Sequence, residues 1–385
     1  MKKHLLLIAL SIFYLSSLVL ANIPRAVQFE STYTSEYWNQ VAGGNKKGQA
    51  FLGVLSSSVD FNLESLVSVQ NTHLFLSGLS IHGQSVNRFN SSIQGISNLE
   101  ASAQTKLYEA FLEHTLFSNT KKPSRLKVGL VDLNSEFDVI EFAGLFSNPS
   151  HGIGPDFSQS GKAGPSIYPD STLAFMLDQK LLAETYLKLG LFDAVANNGK
   201  NTFGNRLSLK NRDGYLITSE LIFKNKTNPL LTQLSLGIWH YTNSFQSYNG
   251  QTKHHNQGVY TSLQSDFRNT QERGLTSFVR IGSAKNSFNK NQSYLGLGAV
   301  YYGMFQNRPN DQIGLALGSS FLSDAYKKSQ PNTLEPLETI VELSYLIQLS
   351  DTFFVQPMVS HVINPSFDKN IKNATLFGLK AELSF

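Results

Sequence analysis

The residues best suited to chemistry fall in one stretch, Ser135 to Asp170, where Glu136, Asp138, Glu141, Phe142, Phe146 and Tyr168 follow closely on Asp132. Carboxylates, with Arg or Lys opposite them, hydrogen-bond paired hydroxyls of a polyol, and aromatic rings pack on the apolar faces of a pyranose. The same residues also suit ordinary loop packing and loop-to-wall salt bridges, and for any one of them both readings stand. Catalysis has less support, because the sequence contains no Gly-x-Ser-x-Gly elbow or other recognisable nucleophile motif. His254-His255 is a weak metal pair, since adjacent side chains of an extended chain point to opposite faces and no third ligand is evident. No metal, no cofactor and no enzymatic activity are therefore expected.

Such a loop needs a wall to hang from, and the end of the chain shows what that wall is. Reading back from the terminus, Phe385, Leu383, Ala381, Leu379 and Phe377 alternate with Ser384, Glu382, Lys380 and Gly378. That period of two belongs to a strand with one apolar and one wet face. In a soluble sandwich the apolar face meets another sheet, whereas in an outer-membrane barrel it meets lipid and the wet face lines a lumen.

Export and recurrence favour the barrel. Lys2 and Lys3 precede an apolar core from Leu5 to Leu20, and Val19-Leu20-Ala21 is a cleavable pattern. Residues 1–21 are thus expected to be a signal peptide and 22–385 the mature barrel. The chain has no cysteine, so disulfide-rich secreted modules are excluded. Its charged fraction of 16% is below the roughly 25% of soluble domains, yet no later apolar run reaches the length of a membrane helix. A spanning chain without such helices must close its sheet. The net charge of +4, with no basic tract, speaks against nucleic acid as a partner.

Two-faced strands recur throughout. They are expected near Val27 to Trp38, Gln49 to Asn62, Asn71 to His82, Thr105 to Phe117, Ser124 to Asn134, Ser171 to Gln179 and Glu184 to Phe192. Others follow near Asp213 to Asn225, Leu230 to Thr242, Asn256 to Arg268, Arg273 to Lys285, Gln292 to Phe305 and Asp311 to Leu322. Glu335 to Leu349, Phe353 to Ile363 and the final stretch complete the set. The fold class is all-β, a transmembrane antiparallel barrel of about sixteen strands with long external loops and short periplasmic turns. Within the fourth strand, alternation sets Tyr108, Ala110 and Leu112 against Glu109, Phe111 and Glu113. Leu187, Leu189 and Leu191 face lipid, opposite Lys188 and Gly190. Glycines on the inner face leave room in the lumen, and Tyr33, Tyr37, Phe267 and Phe385 suit interfacial girdles.

The residues also carry a family resemblance. Lys106-Leu107-Tyr108-Glu109-Ala110-Phe111-Leu112, the run Lys127 to Phe137, Phe146-Ser147-Asn148-Pro149 and Tyr168-Pro169 resemble the carbohydrate-selective porin (OprB) family. Leu187 to Asp193, Tyr302-Gly303, Arg308 to Leu315, Glu342, Gln356-Pro357 and Asn364-Pro365 follow in family order, across nearly the whole mature chain. The resemblance implies a sixteen-stranded, monomeric outer-membrane pore favouring sugars.

In a barrel this wide something must narrow the lumen, and the 135–170 loop is the segment expected to fold inward. The inward rows add Arg125 and Lys127, Lys188, Trp239, Arg280, Glu342 and Gln356. With Asp132, Glu136 and Phe146 these are the candidate pore-lining residues, either a mixed-sign path for small sugars or a wall whose charges pair with one another. The expected partners are sugars, outer-membrane lipid and, through Phe385, the barrel-assembly machinery. A general porin, or an adhesin or structural barrel without sugar preference, is the alternative.

Overall fold

The computed structural model describes residues 26–118, 121–196, 213–225, 227–331 and 334–385, save the side chains of Lys253 and His254. The expected signal peptide lies outside the described residues. The strands are β1 (Val27–Gly44), β2 (Gly48–Asn62), β3 (Thr72–Gly83), β4 (Gln104–Leu116), β5 (Ser124–Val131), β6 (Thr172–Leu182), β7 (Thr185–Asp193) and β8 (Tyr215–Lys224). They continue as β9 (Gln233–Gln246), β10 (Thr252–Asp266), β11 (Gly274–Ala284), β12 (Asn291–Tyr302), β13 (Gln312–Leu322), β14 (Leu337–Ser350), β15 (Phe353–Ile363) and β16 (Lys372–Ser384). Each pairs antiparallel with its sequence neighbours, and β1 pairs with β16, so the sheet closes. Closure satisfies the backbone groups that an open edge would leave unpaired. At the seam the Phe385 amide donates to the Ser31 carbonyl at 2.9 Å, and the Ser31 amide donates back at 3.1 Å.

Alternation decides which side each residue faces. Phe377, Leu379, Leu189, Ile238 and Ile281 are 40–58% exposed on the outer wall, while Glu36, Trp38, Arg280 and Glu342 on the inner rows are 0% exposed. Such an outer surface is unfavourable in water and suits hydrocarbon. No described helix is long and apolar enough to cross a membrane.

Three departures from the sequence reading have local causes. First, β1 runs to Gly44, beyond Trp38, because its pairing with β16 continues through irregularities at Ala42. Gln40 supports this extension by donating to the Gly43 and Lys46 carbonyls at 2.9 and 3.0 Å. Second, strict alternation fails at Tyr108. The β3–β4 register shifts between Ser77 and Gly78, which pair with Glu109 and Leu107, leaving Tyr108 as the extra residue of a β-bulge. Tyr108 is consequently buried rather than grouped with exposed Leu112, and its hydroxyl donates to Asp132 at 2.6 Å. Third, the inner-wall glycines do not leave open space. A Cβ at Gly378 would lie 2.7 Å from the Trp38 ring, one at Gly298 would lie 2.6 Å from Phe278, and Gly258 is covered by the Trp239 indole. These glycines are slots into which neighbouring rings fold.

Most of the long connections gather at the end of the barrel opposite the termini. Residues 132–171, between β5 and β6, fold inward as expected. Residues 84–103, between β3 and β4, also pack inward, with Phe89, Asn90 and Ile96 buried. Leu189→Arg on the outer wall is expected to destabilise the barrel by roughly 2 to 4 kcal/mol if it sits near mid-membrane. Urea unfolding in lipid vesicles measures this, and a loss below that of Lys188→Gln, its inward neighbour on β7, would contradict the outward facing of Leu189.

Candidate functional site

The inward loop holds its shape through short turns capped by its own polar residues. The Asp132 side chain accepts from the Asn134 amide at 2.8 Å and opens a 3-10 turn at Leu133–Ser135. The Asn148 side chain does the same for Ser150 at 2.9 Å, with Pro149 beginning the next turn. Proline fits there because the first amide of a turn needs no internal partner. Leu133, Phe137, Phe146 and Phe157 are 0–2% exposed. The loop therefore brings an apolar core into the lumen.

Wall side chains then fasten it at several points. Arg280 on β11 donates to Asp138 from Nε at 3.0 Å and from Nη2 at 2.6 Å, and its Nη1 reaches Asp156 at 2.6 Å. The guanidinium also lies 5.5 Å from the ring centres of both Tyr260 and Tyr294. A planar fork with five donors can join two carboxylates in this way, whereas an ammonium cannot. Gly154 and Gly282 admit the cluster, since a Cβ at either would collide with Arg280 or Asp156. Glu342 on β14 accepts from the amides of Ser147 and Asn148 at 2.8 and 2.9 Å. Gln356 on β15 donates to the Leu145 carbonyl at 2.7 Å. Glu220 on β8 accepts from the Asp138 amide at 2.7 Å. Trp239 lies flat against Phe157, ring centres 5.2 Å apart and planes 4° apart.

A second cluster stands nearer the end that carries the termini. Lys127 reaches Glu136 at 2.5 Å, Arg125 reaches it at 2.9 Å and Lys188 at 3.1 Å. Arg125 also pairs with Asp178 at 3.0 Å and with Glu113 at 3.3 Å. Burial alone would raise the Glu136 carboxyl, but Lys188, Lys127 and Arg125 together outweigh it and hold the group at about 2.

The candidate residues thus divide. Arg280, Trp239, Glu342, Gln356 and Phe146 lie beneath the loop, each no more than 2% exposed, and contact it or belong to it. Asp132 is engaged by Tyr108 and by the loop's own backbone. Arg125, whose side chain is 32% exposed, and Lys188 open onto a cleft of about 360 Å³ with Glu136, Asp178, Tyr186 and Lys224. A neighbouring cleft of about 540 Å³ shares Glu141, Lys224 and Gln233 with it and continues to Arg268. As for the histidine pair, the His254 side chain is outside the described residues, and the His255 ring stacks on His240 at 5.0 Å.

A closed barrel narrowed by an inward loop is the setting in which sequence comparison becomes decisive. Residues 46–385 match the model of the carbohydrate-selective porin, OprB family. The chain belongs to that family. Among curated relatives, Porin B of Pseudomonas aeruginosa is 24% identical over 266 residues, and the putative porin QuiX of Acinetobacter baylyi is 27% identical over 266. Each match spans 59% of this chain and 59% of the relative. Among solved structures, the high-pH form of Pseudomonas putida OprB aligns with a TM-score of 0.82 at 18% identity, covering 94% of both chains. The outer membrane channel DcaP of Acinetobacter baumannii aligns at 0.58 and 11% identity, covering 93% of this chain and 97% of that one. At these identities the structural likeness establishes the fold.

Several residues that organise this porin's interior escape a reading by alternation alone. Glu338, four residues before Glu342 on the same inner row, accepts from Ser92 Oγ and the amides of Ile93 and Gln94 at 2.8 to 3.1 Å. It thereby pins the 84–103 loop as Glu342 pins the other. The two loops are also joined, the Asn98 amide donating to the Ser147 carbonyl at 2.7 Å. Alternation does place Glu220 and Glu338 inward. Nothing local marks their partners, because these include backbone amides of distant loops.

Arg280→Ala leaves Asp138 and Asp156 buried without their cation, an expected loss of roughly 3 to 5 kcal/mol. The loss falls on loop seating. Protease cleavage within 139–170 should appear while the barrel stays heat-modifiable, and an uncut loop would contradict the anchor. The Glu136 cluster carries a pH dependence. Its folded value lies below the ordinary 4.5, so its contribution is complete above that pH and is lost as pH falls towards 2. Single-channel conductance should change over that window in the wild type, and Glu136→Gln should remove the change.

Proposed function

We propose that the chain is a passive outer-membrane pore for small neutral sugars, exported with cleavage of residues 1–21 and working as a monomer with its long loops outward. The observation that carries this reading is the mixed lining of the lumen cleft beside the loop. There Arg125, Lys188 and Lys224 stand among Glu136, Glu141, Asp178 and Glu220, with the Tyr186 ring at the edge. Three cations among four carboxylates create a strong local field with little net charge, which orients hydroxyl pairs without demanding an ion. A lumen ring of one sign would select ions instead. Family membership supports sugar as the substrate class, and the two porin relatives support a channel role.

In this reading the residues beneath the loop act through its position. Arg280, Glu342, Gln356 and Trp239 fix how far the loop reaches into the lumen, while Arg125, Lys188 and Glu136 meet the solute and Lys127, buried beside them, holds Glu136. Passage requires weak binding, with dissociation constants of about millimolar. Phe385, at the barrel seam, is the proposed signal to the assembly machinery.

Liposome swelling with neutral sugars of graded size tests the reading. Faster entry of monosaccharides than of amino acids of similar size is expected. Equal rates would favour a general porin, and absence of swelling a structural barrel. Sugar block of ion current should weaken about tenfold in Arg125→Ala combined with Lys188→Ala, equivalent to the loss of one or two weak hydrogen bonds at about 1.4 kcal/mol per decade. Unchanged block would remove both residues from the path.

A further inference from the structure

The outer wall is not apolar throughout. Across β8 to β11, Ile217 pairs with His240, His240 with Gln257, and the Lys285 amide donates to the Gln257 carbonyl at 3.0 Å. The next rung towards the terminal end pairs Ser219, Ile238, Val259 and Ser283 in the same succession, and the one beyond pairs Leu221, Leu236, Thr261 and Ile281. A rung with three polar members therefore tops two rungs that carry only small hydroxyls, Ser219, Ser283 and Thr261, among apolar residues of which Ile238, Val259 and Ile281 are 52–58% exposed. Between them runs a groove of about 560 Å³, with Ile217, Ile238 and Val259 on its apolar side and His240, Gln257 and Lys285 on its polar side. Among the described residues no acidic side chain lines it. His255 braces His240 from the neighbouring strand, and the Lys285 ammonium is held 5.3 Å from the Phe288 ring centre and 3.4 Å from the His255 carbonyl.

We propose that this groove binds one membrane lipid with a net-anionic phosphate headgroup, its acyl chain on Ile217, Ile238 and Val259 and its phosphate at Lys285, Gln257 and His240. The inference rests on the outer-membrane placement and not on sugar passage. The chemistry on the polar rung is mainly that of donors: an ammonium, an amide NH₂ and an imidazole N–H, set on adjacent strands about 4.8 Å apart. Phosphate oxygens accept from such groups in charge-assisted bonds. A lipid fits better than free phosphate because the apolar rungs continue directly from the donors, at the boundary where a bilayer changes from headgroup to hydrocarbon. Lys285 already donates to the His255 carbonyl, and a phosphate would take up its remaining N–H groups together with those of Gln257 and His240.

The Trp239 indole lies on the lumen side against Phe157, so lipid retained by the folded barrel after mild detergent extraction is the readout. From mixed vesicles, phosphatidylglycerol should be retained about fivefold over phosphatidylcholine relative to their bulk ratio, the factor one lysine supplies near an anionic headgroup. Lys285→Gln with Gln257→Leu should abolish that enrichment. Excess inorganic phosphate should not displace the retained lipid. Equal retention of the two lipids by the native groove, an enrichment insensitive to the double substitution, release of the lipid by phosphate alone, or exclusion of lipid by pairing of two barrels through this wall would each overturn the proposal. Failure of sugar swelling would leave this readout unaffected.

Discussion

A peptide N–H in hydrocarbon has no water to bond, and that constraint governs the rest of this molecule. Strands can meet it only by pairing on both sides, so β1 must find β16 and the sheet must become a cylinder. Sixteen strands make a cylinder too wide for its own inner-wall side chains to fill. The interior then becomes a second packing problem, solved by chain brought in from the far end. The two inward loops form the core of the barrel in the physical sense, since they supply most of its fully buried aromatic residues outside the strands.

Filling a polar lumen with loop raises the question of what holds it there. Apolar burial contributes through Phe137, Phe146 and Phe157, but direction comes from wall charges placed where loop amides or carboxylates arrive. Glu338 and Glu342 each receive successive backbone amides. Arg280 instead receives side-chain carboxylates, so one inner wall captures the loops with both signs of charge. Buried ions are tolerated here because nearly all their hydrogen-bonding capacity is used.

Much of the architecture was legible in the sequence. Strand number, order and facing follow from a period of two that a lipid boundary enforces at every rung, and residues such as Leu189, Lys188, Ile238 and Trp239 lie on the faces that period assigns. The reading failed where a rule is broken by one residue or met from far away. The bulge at Tyr108 adds a residue without changing composition. Gly378 and Gly298 look like space until the rings of Trp38 and Phe278 are seen in it. The inward direction of the 135–170 loop was readable from its length and content. The matching behaviour of 84–103 was not, because its anchor, Glu338, lies more than two hundred residues away in the chain.

That distance also bears on how the molecule comes into being. The partners of the 132–171 loop lie far downstream: Asp138 waits for Glu220 and Arg280, Ser147 for Glu342, and the Leu145 carbonyl for Gln356, separations of 82 to 211 residues. None of those contacts can form while only the first half of the chain has been delivered. Contacts of such long span are slow to form and come late. The loop must therefore be carried as unsatisfied chain until the wall is nearly complete, and it locks as the cylinder does. Interior seating and barrel closure become a single late event, so a nascent barrel is most vulnerable to proteolysis in the segment that will later be its least accessible.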